Sequence, residues 1–148
     1  MADSLTDLAD WAEPLLAKLG PTARRQLAGT LARKLRTSQR ERIAAQKTPD
    51  GKAYRPRKIR NKRGRVKRRA MFVKLRQNRY LKARGSSTEV AVGFFGRVGR
   101  IARVHHYGLR DKVSPKGPAV KYPERGLLGY AREDLQMVED MLIDHLVE

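Results

Sequence analysis

Cysteine is absent from all 148 residues, which excludes disulfides and thiolate zinc sites. The redox compartment is therefore unmarked beyond compatibility with a cytoplasm. Aromatic residues make up 6% of the chain, and only one is a tryptophan. No run approaches the roughly 20 apolar residues of a membrane helix. Met1 to Gly20 carries acids where a signal peptide needs positive charge. The expectation is a soluble protein with no membrane partner and no recognisable export signal. A further absence is local: between Lys52 and Arg69 there is no acidic residue.

What that interval does contain is cationic. Lys52, Arg55, Arg57, Lys58, Arg60, Lys62, Arg63, Arg65, Lys67, Arg68 and Arg69 make eleven of its eighteen positions. Charges this dense repel unless counterions or an anionic partner neutralise them, and phosphate backbone is the commonest such partner. The bland alternative is a solvated insert that keeps the protein soluble. Hydrophobic sequence flanks the block on both sides, so it reads as an arm tethered at both ends. Tyr54 is its one aromatic, and Arg55 to Arg68 contains none. Base readout by stacking is therefore disfavoured against diffuse, sequence-independent contact with backbone.

The whole chain carries a net charge of +19, unevenly placed: −3 over residues 1–21, +22 over 22–85, +5 over 86–129 and −5 over 130–148. Acidic ends around a basic middle can pair within one chain, or head-to-tail between copies in a ring.

The length and the 40% hydrophobic content fit one domain spanning 1–148, with a modest core. Leu5, Leu8, Trp11, Ala12, Leu15, Leu16 and Leu19 fall at helical spacing, with Asp3 or Ser4 as a cap. Gly20-Pro21 ends that helix. Thr22 is placed to cap a second, lined by Leu27, Leu31, Leu35 and Ile43. Thr48-Pro49-Asp50-Gly51-Lys52 is a turn signal, and Met71, Phe72 and Leu75 suggest a short helix beyond the arm. Val90, Val92 and Phe94 alternate as a strand does. Ile101, Val104 and Tyr107 continue the apolar signal, and Ala119 to Tyr122 reads as another strand. Leu135, Val138, Met141, Leu142 and Leu146 give the apolar face of a last helix, with Glu133 and Asp134 in its first turn. The expected class is α+β: a small antiparallel sheet packed with N-terminal helices and a C-terminal helix, with a long basic arm over 52–69.

Catalytic chemistry finds little footing. His105-His106, read as part of a strand, point to opposite faces and lack companion ligands, so no metal and no cofactor is expected. Gly93-Phe94-Phe95-Gly96-Arg97-Val98-Gly99-Arg100 lacks the Gly-Lys-Ser/Thr close of a P-loop and reads as a hairpin bend with basic tips. No Ser/His/Asp set or carboxylate pair stands in a plausible setting.

The stretch from Val92 through Gly96-Arg97-Val98-Gly99-Arg100-Ile101-Ala102-Arg103-Val104-His105-His106-Tyr107 to Leu109 resembles the signature of the phage virion morphogenesis family. These are tail-completion proteins of Mu-like and related contractile-tailed phages. Thr48 to Lys52 with Pro56-Arg57-Lys58, Met71-Phe72 with Leu75-Arg76, and Val120-Lys121-Tyr122-Pro123 with Leu127-Leu128-Gly129 match in the same order. The chain departs from the family's usual pattern at Glu124-Arg125-Gly126 and at Ala131, both at the entry to the last helix.

The resemblance implies a non-enzymatic virion protein at the neck. It would complete or terminate the tail and help to join it to the head, as a ring, by likeness a hexamer, around the DNA channel. The implied partners are copies of itself, the tail tube or sheath, head-connector proteins and DNA by electrostatics. Assembly would take place in the host cytoplasm. The eleven cations named above are the expected nucleic-acid or channel-facing residues. Rival readings are a stand-alone, sequence-independent nucleic-acid-binding protein and a metal-dependent nuclease using His105 and His106.

Overall fold

The computed structural model describes residues 4–56, 70–112 and 115–147, with side chains as far as His145. Among them eight elements follow in order: α1 (Leu5–Leu16), α2 (Pro21–Ala44), β1 (Leu81–Gly85), β2 (Val90–Phe94), α3 (Arg97–Tyr107), β3 (Arg110–Lys112), β4 (Ala119–Lys121) and α4 (Arg132–Val147). The class is α+β, with four helices and two small antiparallel sheets.

Ser4 caps α1, its hydroxyl accepting from the Asp7 N–H at 3.1 Å. The second helix starts one residue before the expected Thr22 cap: Gly20 stands at N-cap and Pro21 opens the helix. Proline suits that position because its φ is already helical and its missing N–H would have had no partner there. At 24 residues α2 is about 36 Å long, and it is the axis of the molecule. Leu27, Leu31, Leu35, Gln39 and Ile43 recur every fourth residue and are all buried, so one stripe carries the packing.

Two apolar clusters sit along that stripe. Ala12, Leu27, Leu31 and Leu142 form the first, with Leu16, Leu19, Val90, Val138 and Met141 against them. Ile43, Tyr54, Met71, Phe72, Leu75, Ala102 and Leu127 form the second. Of the expected α4 face, Leu135 and Leu142 are buried and Val138 is half-buried, while the Leu146 side chain lies outside those described.

The single expected sheet is instead two. The β1–β2 hairpin pairs Leu81 with Phe94 and Gly85 with Val90, and β3–β4 pairs Arg110 with Lys121. The first hairpin lies on α2 so closely that a Cβ at Gly85 would stand 2.4 Å from the Ala28 carbonyl carbon. That contact requires glycine.

The segment after Phe94 corrects the strand reading. Gly96, at φ 73°, turns the chain out of β2, and Arg97 to Tyr107 is helical until Gly108 ends it in the left-handed region at φ 66°. Ile101, Val104 and Tyr107 stand three apart, a spacing that a helix serves as well as a continuing apolar run. The glycines decide it. His105 and His106 are therefore neighbours on a helix, and the proposed hairpin bend is the helix entry. Residues 71–80 likewise form successive turns in place of a short helix, because Phe72 sits at φ 64° and interrupts helical continuity.

Candidate functional site at the roots of the basic arm

The described residues on either side of the arm, Tyr54 to Pro56 and Met71 to Phe72, come together at one place. After α2, Gln46 takes a left-handed φ of 59° and turns the chain. Its carbonyl accepts from the Tyr54 N–H at 2.7 Å, on the outgoing side of the arm. Its side chain reaches the returning side: Oε1 accepts from the Met71 N–H at 2.7 Å, and Nε2 donates to the Met71 carbonyl at 2.9 Å. One residue thus joins both roots. Between Gln46 and Tyr54, the Thr48 to Lys52 turn is closed by Thr48 N–H to Lys52 O at 2.8 Å and by Gly51 at φ 87°.

Arg125 completes the clasp. Its side chain is buried, donating from Nε to the Arg55 carbonyl at 2.8 Å and from Nη2 to the Pro56 carbonyl at 3.3 Å. A buried guanidinium satisfied by carbonyls fixes the backbone while leaving the Arg55 side chain in solvent. Arg125 is itself held by its N–H, which donates to His105 O at 2.8 Å.

Beneath the roots runs a row of rings. Tyr54 meets Phe72 edge-on at 5.6 Å, Phe72 meets His105 at 5.1 Å, and His105 meets Tyr122 at 4.8 Å. Burial pushes the Tyr54 hydroxyl up to about 12, against a smaller lowering by the Arg42 charge. His106 serves the same region through its Nδ1, which accepts from the N–H of Leu127 at 3.0 Å and of Leu128 at 3.4 Å. Desolvation holds its pKa below the ordinary value, partly offset by the Glu124 charge. A neutral imidazole is what those two donors require. No group of three or more metal-ligating side chains occurs among the described residues.

A polar knot ties α2 to the start of α4. Asp134, 1% exposed, pairs with Arg42 at 2.9 Å, accepts from the Ser38 hydroxyl and accepts from the Ala131 N–H at 2.8 Å. Arg42 also donates to Gln39 and to the Gly129 carbonyl, and Gln39 accepts from the Gly129 N–H. This is half of a capping box: the N3 carboxylate reaches back to the N-cap N–H, the Asp134 N–H is met by the Ala131 carbonyl at 3.0 Å, and the helix starts at Arg132.

Of the eleven expected arm cations, Lys52 and Arg55 are placed, both exposed at the outgoing root. Arg57, Lys58, Arg60, Lys62, Arg63, Arg65, Lys67, Arg68 and Arg69 lie outside the described residues. Sequence reasoning missed Gln46, Arg125 and the knot. Gln39 gave a signal, being the one polar residue in the apolar stripe of α2. Arg125, an isolated cation between Pro123 and Gly126, gave a weaker one.

Fold and site together define a small α+β domain that clasps a cationic arm at its roots. The chain belongs to the phage virion morphogenesis family, which it matches over residues 3–147. The resemblance carried by the segments from Thr48 to Gly129 thus holds over nearly the whole length. Tail completion protein S of Escherichia phage P2 is one relative, 43% identical over 136 residues that make 89% of this chain and 90% of that protein. No solved structure matches the chain.

Proposed function

We propose that this chain is a structural virion protein that completes the phage tail, without catalysis of its own. The observation that carries this reading is its relation to tail completion protein S across 89% of its length. In the finer form of the proposal it stands at the neck, as a ring of six copies around the DNA channel. There it touches the tail tube or sheath on one side and head-connector proteins on the other, after assembly in the host cytoplasm.

Two physical features favour that placement. The arm holds nine cations between its two roots, with no aromatic among them. Such a segment neutralises passing phosphates without reading bases. The exposed acids of α1 and α4, Asp7, Asp10, Glu13, Glu133, Asp140 and Asp144, form no ion pair among the described residues. They remain available to a neighbour. The intrachain alternative, acidic ends paired with the basic middle, accounts for the Arg42–Asp134 pair.

Deleting the gene tests the role. Filled heads and unjoined tails are expected to accumulate, with infectivity restored by the gene supplied in trans. Electron microscopy of the finished particle tests the placement: ring density at the neck is expected, and a single copy or a position elsewhere overturns it.

A further inference from the structure

A groove of about 480 Å3 opens between α3, the outer edge of β2 and the segment 127–130. Val92, Phe94, Leu128 and Arg103 line it, together with Tyr107 and Tyr130, which are 60% and 49% exposed. β2 has a strand neighbour on one side only among the described residues. Large apolar side chains left in water around a concave surface mark a contact site. Among the described residues Arg103 is the one Lys, Arg, Asp or Glu that lines it, and its helix carries further cations. Arg97, Arg100 and Arg103 recur every third residue on α3; Arg100 is paired with Asp111 at 2.8 Å, while Arg97 and Arg103 have no carboxylate partner among the described residues.

The complementary surface lies on α1 and α4. Trp11 is 37% exposed one helical turn after Asp7, and Ile143 is 41% exposed one turn after Asp140. On each helix an exposed apolar side chain thus stands beside a carboxylate. No residue of α1 or α4 lines the groove. These helices pack in the cluster around Leu27 and Leu31, while α3 packs in the cluster around Ile43, about 18 Å further along α2.

We propose that the acidic α1 face of one copy, led by Trp11 and Asp7, seats in the groove of the next copy, with Asp7 against Arg103. This deepens the ring reading above and rests on it. Two different patches meeting head-to-tail make a heterologous contact, the kind that closes into a ring. A partly exposed tryptophan is the usual anchor of such a contact, and paired opposite charges at its rim set the register.

The cysteine-free chain allows a clean test. The double variant Asp7→Cys with Arg103→Cys is oxidised in purified tails and run without reductant. A ladder of covalent multimers is expected. A monomer-only pattern, or a cross-link to a different tail protein, overturns the seating, and if electron microscopy still shows ring density the ring reading survives it. Absence of any ring removes both. Charge reversal supplies the second arm. Asp7→Lys is expected to lower joined particles roughly tenfold or more, and adding Arg103→Glu to restore them. Failure of that rescue, with circular dichroism showing both variants folded, also overturns the seating.

Discussion

Gln46 does with one side chain what a strand neighbour does with its backbone: its amide offers Met71 both a donor and an acceptor. The same residue reaches Tyr54 through its carbonyl, so the arm's entropy of closure is met at a single point. Beside it, the Tyr54 hydroxyl is buried with no hydrogen-bond partner among the described residues. Leaving a hydroxyl unsatisfied costs about 1–3 kcal/mol. Tyr54→Phe keeps the ring contact with Phe72 and removes that cost. Denaturant unfolding is expected to show a variant about 1 kcal/mol more stable than the parent; a loss of stability would mean that the hydroxyl has a partner. His106 carries the residue-scale dependence on pH. Its folded pKa lies below the unfolded value because burial disfavours the imidazolium. Its contribution is therefore fully present above about pH 6.5 and is lost as pH falls through the folded pKa. His106→Asn offers an oxygen near the Nδ1 position and cannot titrate. Unfolding curves across pH 5 to 7.5 should be flatter for that variant than for the parent, and equal slopes would assign the dependence to another group.

At the scale of elements, the start of α4 depends on a carboxylate that also belongs to the core. Asp134→Ala would strip the acceptor from Ser38, Ala131 and Arg42 together, leaving an almost buried guanidinium without its anion. Breaking a buried pair from one side typically costs about 3–5 kcal/mol, and thermal unfolding should show it. Leu142→Ala, a plain cavity in the first cluster, should cost about 2–5 kcal/mol. If Asp134→Ala proves the far milder change, the knot is not what fixes α4 to α2. Which elements were legible follows from how each is stabilised. Helices α1, α2 and α4 show their buried residues at helical spacing; Ser4 and the acidic first turn of α4 mark two of the starts, while that of α2 falls at Pro21 and not after the expected Thr22 cap. The Val90 to Phe94 strand was legible by alternation. Helix α3 was not, because its apolar residues continue those of β2 and the deciding event is the backbone of Gly96 and Gly108. The arm's charge was plain in the sequence, but its clasp was hidden. Gln46 meets Met71 across 25 residues and Arg125 meets Arg55 across 70, through backbone atoms that carry no residue signature.

For the whole molecule, the clasp separates stability from charge. The contacts described at the roots, through Gln46, Arg125 and the ring row, are made by residues outside Arg57 to Arg69. Folding and anion binding should therefore respond independently to substitution within the arm. Replacing Arg63, Arg65, Lys67, Arg68 and Arg69 by Gln removes five positive charges and no described contact. The melting temperature is expected to stay the same or rise slightly, since the variant relieves self-repulsion in a chain of net charge +19. DNA retention should fall for every sequence alike. Each phosphate contact adds about 0.9 to the slope of log K against log salt on duplex DNA, so five lost contacts would flatten that slope by up to about 4.5. Titration of random and defined duplexes from about 0.05 to 0.2 M salt measures both quantities. A variant that keeps the parent's slope would show that the arm faces protein and not phosphate. A parent that strongly prefers one duplex sequence at the higher salt would show that its contacts read bases, contrary to a segment with no aromatic and no acid among its cations.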